Sequence, residues 1–375
     1  MSTLTPPLFP GMLLDAASRF ANDHAGTPDF SGTNPVVEMG WACTLVPEES
    51  GGVGGTLADL GAIVEGLATH GVHLPVVETC AVAVLLLQAA PEAGMQWLQM
   101  LCEGETVVAP LVSLSKPLSD IAMRARQLDI GYELSGDVTG VDVSLPATHF
   151  IIPAQLQGSG DIGLFLVASE RVSEGKRYRT MEGRRGADFR LEPLTVPAVA
   201  CLARGAAARE ALVRAEHACL LLTGVDTVAA LAALLQHTII HLKERRQFGV
   251  TLSSFQVLRH RTSDMYVRLL AARGLLLAAF QAHKGNAPGL DRTLRLMKVS
   301  LAESARACAE AAIQMHGGMG VSEEVLATRL AQRLIASEFR YGDRLTQASR
   351  LLHAAVLPLE QGQSPAHSPI TRSAP

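Results

Sequence analysis

Residues 243–267 read KERRQFGVTLSSFQVLRHRTSDMYV, and the order of residue types in this stretch decides how the last part of the chain folds. Three cations, Lys243, Arg245 and Arg246, gather where a long helical pattern stops. Phe248 and the helix-breaking Gly249 follow, and a second helical pattern starts near Phe255. Cations at a helix C-terminus are favoured by the exposed carbonyls and the dipole there, so the charge alone requires no ligand. The same group can also serve a ligand, an arginine fork binding a pyrophosphate bidentately while an aromatic ring packs on the bound molecule.

Working outward, helical periodicity covers roughly 206–245, 255–283, 290–315 and 323–355, with loops at VTLSS, GNAPG and GGMG. Four long amphipathic segments with short connections predict an up-and-down bundle. Toward the N-terminus the character changes. Short β-prone runs (TVVAPLVSL, GYELSGDV, THFIIPAQL, GLFLVAS, RLEPLTV) separated by Gly, Ser, Asp and Pro predict a small antiparallel sheet or barrel. Residues 13–101 are helical again, with Leu60, Ile63, Val64 and Leu67 on one face. The glycine-dense LVPEESGGVGGT between these helices lacks the ending of a phosphate-binding P-loop and reads as a structural turn. The predicted division is a helical unit over 1–104, a β unit over 105–202, a helical bundle over 203–358 and a disordered tail over 359–375.

Hydrophobic residues make up 48% of the 375 and aromatics only 4%, so the apolar content is Ala, Leu and Val, which helices carry well. A net charge of −4 supplies no basic field for nucleic acid. Six scattered cysteines without CxxC pairs or metal-ligand spacing read as buried thiols in a reducing compartment. The N-terminus has no signal-peptide pattern and the apolar stretches fall short of a bilayer span without a polar break, which predicts a cytoplasmic protein with no membrane partner.

The 243–267 stretch, AAIQMHGGMGVSEE (311–324), RYGDRLTQASRLLHA (340–354) and LVPEESGGVGGTLAD (45–59) together resemble the acyl-CoA dehydrogenase family, in its order and rough spacing and over nearly the whole chain. The resemblance implies a mainly α fold with a β domain: an N-terminal helical domain, a small β-barrel or sheet domain and a C-terminal four-helix bundle. It implies that Arg245 and Phe248 contact FAD, with Gln256 near it. It also implies that Gln314, Gly317 and Gly318 line the adenine end of an FAD held largely by a neighbouring subunit. Glu48 and Glu49 would then neighbour the substrate. His316 reads as a packed loop histidine with no chemistry.

The sequence departs from the family where the chemistry would occur. The carboxylate base that usually precedes a glycine before the last helix is matched by Tyr341, ahead of Gly342, and a phenol with a pKa near roughly 10 is a poor base at neutral pH. The alternative base position on the first bundle helix falls on Arg214, with Glu216 close by. Glu338 and Asp343 flank the late loop but, beside Arg340 and Arg344, read as surface ion pairs. In the β domain the family's TEP-type and WIT-type stretches, whose Trp and hydroxyl touch the flavin ring, are matched by LVSLSKPLSD (111–120) and LSGDVTGVDVS (134–144), with Gly140 near the Trp position. No catalytic residue is assigned.

Lost ring contacts beside retained ADP-end contacts resemble the steroid side-chain acyl-CoA dehydrogenases, in which two unlike subunits form an α2β2 assembly. What this implies is FAD-dependent α,β-dehydrogenation of an acyl-CoA thioester with a bulky acyl group, in lipid and steroid degradation. The chain would be a base-lacking subunit of a heterotetramer, with a homologous dehydrogenase subunit or a second copy as partner and an electron-transfer flavoprotein as acceptor. Two alternatives stand beside it: an autonomous homotetramer using Glu216 or Glu338 as base, and a scaffold subunit without flavin.

Overall fold

The computed structural model describes residues 4–26, 30 and 33–360, with side chains through 354, so of the tail expected over 359–375 the first two residues continue the last helix and the rest lies outside the described residues. The chain begins with helices α1 (Met12–Asp23), α2 (Pro35–Glu38) and α3 (Leu57–Thr69). A π-helical turn, Val77–Ala83, runs straight into α4 (Val84–Leu87), and α5 (Pro91–Cys102) closes the unit. In α3 the predicted stripe Leu60, Ile63, Val64 and Leu67 is buried. The glycine loop before it ends in a capping box, the Asp59 carboxylate accepting from the Thr56 N–H at 2.7 Å, which fixes where the helix starts. Glu65, on the same helix, reaches back to the start of the chain, accepting from the N–H groups of Leu8 and Phe9 at 2.7 and 3.0 Å.

The middle unit is one eight-stranded sheet: β1 (Val108–Pro110), β2 (Met123–Leu128), β3 (Gly131–Asp142), β4 (His149–Leu156), β5 (Ile162–Ala168), β6 (Glu174–Arg179), β7 (Arg185–Pro197) and β8 (Cys201–Arg204). Its order is β6-β7-β3-β2-β4-β5-β8, with β1 also paired to β4. The expectation of an antiparallel sheet is corrected here, because β1 and β2 both run parallel to β4 and share one of its edges. Three strands were not legible. β2 is an Arg-rich alternation with a single buried face, β6 is an exposed edge strand with a charged sequence, and β8 is only four residues long.

The bundle comprises α6 (Ala206–Glu244), a two-residue hairpin β9 (Arg246–Gln247) and β10 (Val250–Thr251), then α7 (Gln256–Lys284), α8 (Leu290–His316), α9 (Leu326–Ser337) and α10 (Arg344–Glu360). The predicted fourth long helix is two helices. The break falls at Tyr341 and Gly342, both at positive φ, +55° and +95°, where a helix cannot continue. One apolar core runs through both helical units, and a second, led by Phe150, Phe165 and Phe189, fills the sheet unit.

Among the described residues α6 and α7 are each long and apolar enough to cross a membrane by length and composition, contrary to the expectation that every such stretch is broken too soon. The apolar stretch of α6 is 94% buried inside the protein, which makes it the central core helix. α7 instead leaves Val257, Val267 and Leu270 exposed on its outer side. The cysteines also differ from expectation: all six are free, but only Cys80, Cys219 and Cys308 are buried, while Cys43, Cys102 and Cys201 are half-buried.

Candidate functional site

Arg245 caps the end of α6, leaving the helix with ψ of 128°. The chain then turns through Phe248 and Gly249, both at positive φ, and returns so that the Leu252 N–H bonds the Arg245 carbonyl at 2.8 Å. Two consecutive positive φ values are what a tight two-residue hairpin needs, and Gly249 supplies its half without strain. Phe248 does not: a bulky side chain in the left-handed region costs on the order of 1 kcal/mol or more, and here the ring is 90% exposed. The ring meets the Phe255 ring edge-on with centroids 6.2 Å apart, a contact that returns little to the isolated fold.

The remaining predicted contacts are at the same end of the bundle. α8 ends at His316, whose ring stacks on His241 of α6 with centroids 4.4 Å apart and whose Nδ1 lies 2.9 Å from the Ala312 carbonyl; it is packed, as expected. Gln314, Gly317 and Gly318 are exposed around that helix end, with Gly317 at φ +58°. Gln256 opens α7 and is exposed. Beside it, Val257, Leu258, Arg261, Gln314 and Met315 line a groove of about 630 Å³ between α7 and α8. A second groove of about 590 Å³ follows along the same two helices, past Arg268 and Cys308. Small-molecule sites occupy roughly 300–1,000 Å³, so the room is of ligand size. This outer end, with an arginine, an aromatic ring, amide side chains and exposed glycine backbone, fits the diphosphate and adenine portion of a dinucleotide.

The positions matched to the family's reaction centre lie elsewhere, buried where the three units meet. Tyr341 is fully buried. Its phenol donates to Glu78 Oε1 at 2.6 Å, its N–H to the Leu114 carbonyl at 2.6 Å, and its carbonyl accepts from Gln347 Nε2 at 2.8 Å. Burial first, and the Glu78 charge second, push its phenol well above the ordinary range, so it stays protonated. Glu78 also meets Arg340 Nη2 at 3.3 Å and Arg184 Nη1 at 3.8 Å, while Arg184 donates to Asp142 Oδ2 at 2.8 Å. Arg340 pairs with Asp226 Oδ2 at 3.2 Å, and Arg333 binds the other oxygen of Asp226 at 2.8 Å.

Those charges were not found by sequence reasoning, although a signal existed. Asp226 interrupts the apolar run LLLTGVDTVAALAALL and Glu78 interrupts LPVVETCAVAVLLL. A lone carboxylate inside a core helix needs a buried cation, here supplied from elements more than a hundred residues away.

The alternative bases are committed elsewhere. Glu216 is buried, one oxygen accepting from Ser119 N–H and Oγ at 3.1 and 2.7 Å, the other from Arg295 and Arg350 at 3.2 and 3.0 Å. Glu338 is not the surface ion pair with Arg340 that the sequence suggested. It is 5% exposed and held by Arg306 and Arg344 at 2.9 and 2.8 Å. Asp343 caps α10, and the Thr346 N–H at 2.8 Å holds its carboxyl below the usual range. Arg214 is exposed on α6. Gly140 sits at φ +71° in a bulge of β3, its N–H on Asp188 Oδ1 at 3.0 Å.

Residues 12–105 match the acyl-CoA dehydrogenase N-terminal domain and residues 221–352 the acyl-CoA dehydrogenase C-terminal domain, so the chain belongs to the acyl-CoA dehydrogenase family. It is 29% identical to acyl-CoA dehydrogenase IpdE2 of Mycobacterium tuberculosis over 287 residues, 76% of this chain and 74% of that one. Among solved structures it resembles the ChsE4-ChsE5 complex of M. tuberculosis, with a TM-score of 0.79 and 21% identity over 96% of this chain and 100% of the other. The FAD complex of PigA is also similar, with a TM-score of 0.79 and 19% identity over 92% and 97%.

Proposed function

We propose that the chain is a subunit of an FAD-dependent acyl-CoA dehydrogenase that takes a bulky acyl-CoA thioester and that it works beside a homologous subunit carrying the catalytic base. The observation that carries this reading is Phe248, held exposed on a strained hairpin next to Arg245 and within one end of the bundle shared with Gln256, Gln314, Gly317 and Gly318. Bound FAD supplies the hydride acceptor for the carbon one further from the thioester than the carbon that loses its proton. What this chain offers is the binding of the cofactor's outer half: a guanidinium for the diphosphate, a ring to pack on it, and glycine backbone that lets the adenine approach.

The base-lacking part of the reading is supported by the protonated, enclosed Tyr341 and by the engagement of Glu216 and Glu338 in buried ion pairs. The hetero-oligomer is supported by the exposed apolar side of α7 and by the similarity to a complex of two unlike subunits. Cytoplasmic residence and an electron-transfer flavoprotein as acceptor belong to the same reading. A purely structural subunit would have no use for the strain at Phe248.

The test is purification of the chain alone and co-expressed with an acyl-CoA dehydrogenase encoded beside it, followed by visible absorption spectra of the wild type and Arg245→Ala. Flavin absorbance in the complex that falls at least tenfold in Arg245→Ala, with the complex intact by mass, is the expected result. A colourless complex would sink the reading.

A further inference from the structure

We infer that Cys43 and Cys102 form an oxidation site, a pair of facing thiols that a peroxide joins into a disulfide, and that the new bond pins the glycine loop 46–55 to the end of α5. The inference is independent of the dehydrogenase reading above.

The two residues are 59 positions apart, in WACTLVPEES and LQMLCEGE, and the fold brings them together. Cys43 ends the tight turn Trp41–Cys43, which is anchored by the buried ring of Trp41 against the edge of Phe20. Cys102 is the last residue of α5, whose Leu98 and Leu101 are buried. The Cys43 thiol donates to the Cys102 carbonyl at 3.7 Å, and the Cys102 thiol is hydrogen-bonded to it in turn. Thiols in such contact lie within the reach that a disulfide requires. Both are half-buried, open to a small oxidant.

The surroundings set the order of events. Cys80 is the third sulfur nearby, but it is fully buried in the π-helical turn, where burial pushes its thiol up to about 12. Cys102 is also pushed up to about 12, by burial first and then by the Cys43 thiol beside it. Since the thiolate is the attacking form, the first step falls to Cys43. Its sulfur takes one oxygen of hydrogen peroxide: an S–O bond forms, the O–O bond breaks and water leaves, giving a sulfenic acid. The Cys102 sulfur then attacks the Cys43 sulfur. The S–S bond forms, the S–O bond breaks and a second water departs, so two thiols have supplied the two electrons that reduce one peroxide. A reducing compartment returns the pair to thiols, which makes the bond a response to oxidant and not a permanent staple. Cys201 and Cys219 are next to phenols instead, those of Tyr132 and Tyr341, and Cys308 is near Arg268.

What the bond would hold follows from the backbone of Cys43. Its carbonyl accepts from the N–H groups of Val46 and Val53 at 3.2 and 3.0 Å, and the Thr44 carbonyl accepts from Gly55 at 2.8 Å. The chain therefore enters and leaves the glycine loop across this one residue and its neighbour. The loop is folded tightly on itself, a Cβ at Gly52 standing only 2.1 Å from the Val46 carbonyl oxygen, with Glu48 and Glu49 exposed at its crown. Fixing Cys43 to α5 fixes both legs of that loop at once.

The experiment treats the full-length chain, freed of reductant, with a small excess of hydrogen peroxide, blocks the remaining thiols with iodoacetamide under denaturing conditions and maps the unreduced peptides by mass spectrometry. A link between the peptides carrying Cys43 and Cys102, with the loss of two of the six free thiols and full recovery in dithiothreitol, is the expected result. Hydrogen exchange over residues 44–55 should then slow by roughly fivefold or more in the oxidised chain and in oxidised Cys80→Ser, and stay unchanged in Cys102→Ser. Sulfinic acid on Cys43 without the link, a link from Cys43 to Cys80, or a link between two chains would overturn the pairing. A Cys43–Cys102 link that leaves the exchange of the loop as it was would overturn the pin. If either variant does not fold, the peptide map and the exchange of the unsubstituted chain decide.

Discussion

The phenol of Tyr341 and the carboxylate of Glu78, 263 positions apart in sequence, meet at 2.6 Å in the interior and join the turn before the last helix to the π-helical turn of the first helical unit. Tyr341 is fixed there at every polar atom it has, through its hydroxyl, amide and carbonyl. Replacing it by Phe keeps the ring and removes the donor. We expect Tyr341→Phe to lose about 1–3 kcal/mol of stability, read as a lower urea midpoint with an unchanged slope. An unchanged midpoint would mean that the hydroxyl contributes nothing to holding the turn.

Arg333 binds Asp226 with two of its nitrogens and the Val72 carbonyl with the third, all of them buried. Truncating one partner of a buried pair leaves the other charge uncompensated, at about 3–5 kcal/mol. Arg333→Met should therefore be strongly destabilised, and Asp226→Asn combined with it should cost less than the two changes summed. A double-mutant cycle by chemical denaturation checks this, and simple additivity would refute the coupling.

Lys298 is buried on α8, its Nζ 2.5 Å from the Ser337 carbonyl. Burial, then the nearby Arg340, pulls its pKa down to about 7, against Glu338, Asp226 and Asp343, which favour the charge. Above that value the folded chain has released a proton that the unfolded chain keeps until its ordinary pKa of 10.5. The unfolded state then binds more protons, so this group makes stability rise with pH between about 7 and 10, by roughly 1 kcal/mol per unit at most. Lys298→Met should remove that rise, its advantage over the wild type being largest at pH 7 and below. Parallel melting-temperature curves for the two proteins from pH 6.5 to 9 would contradict it.

Gly66 is the point where α3 touches α1. A Cβ there would lie 2.7 Å from the Ala17 Cβ and 2.8 Å from the Ser18 nitrogen, against backbone that cannot swing aside. Gly66→Ala should cost about 1–3 kcal/mol despite the better helix propensity of alanine, measurable by thermal denaturation. A stabilised variant would show that α1 can back away.

Phe248→Gly should have the opposite profile. With the ring 90% exposed at φ +55°, its removal relieves strain and is expected to leave the chain's melting temperature the same or slightly higher while flavin retention in the complex falls. Lower stability of the isolated chain together with full flavin retention would contradict both halves.

The order of the units and the long bundle helices could be read from the sequence because each depends on local patterns, a 3.6 period or alternating β-branched runs, whereas the residues at the outer end of the bundle were singled out by a family resemblance. What could not be read depends on distance. β2 and β6 are strands because of their neighbours across the sheet, and the charged runs MRARQL and EGKRYR carry no apolar signature. The fourth bundle helix reads as continuous until Tyr341 gives its N–H to Leu114, a contact made by another unit. Glu338 looks like a surface residue beside Arg340 because sequence adjacency cannot show that Arg340 turns inward to Asp226 and leaves Glu338 to Arg306.

The carboxylate of Glu65 on the Leu8 and Phe9 amides has a consequence for synthesis. Phe9 also packs at a tilt against Phe280, with centroids 4.9 Å apart, and the Pro7 carbonyl accepts from Arg273 at 2.9 Å. Glu65 leaves the ribosome early, but Arg273 and Phe280 emerge only after the whole sheet unit and α6. The opening residues of the chain are therefore only half fastened through most of translation, and α7 completes what Glu65 of the first helical unit begins.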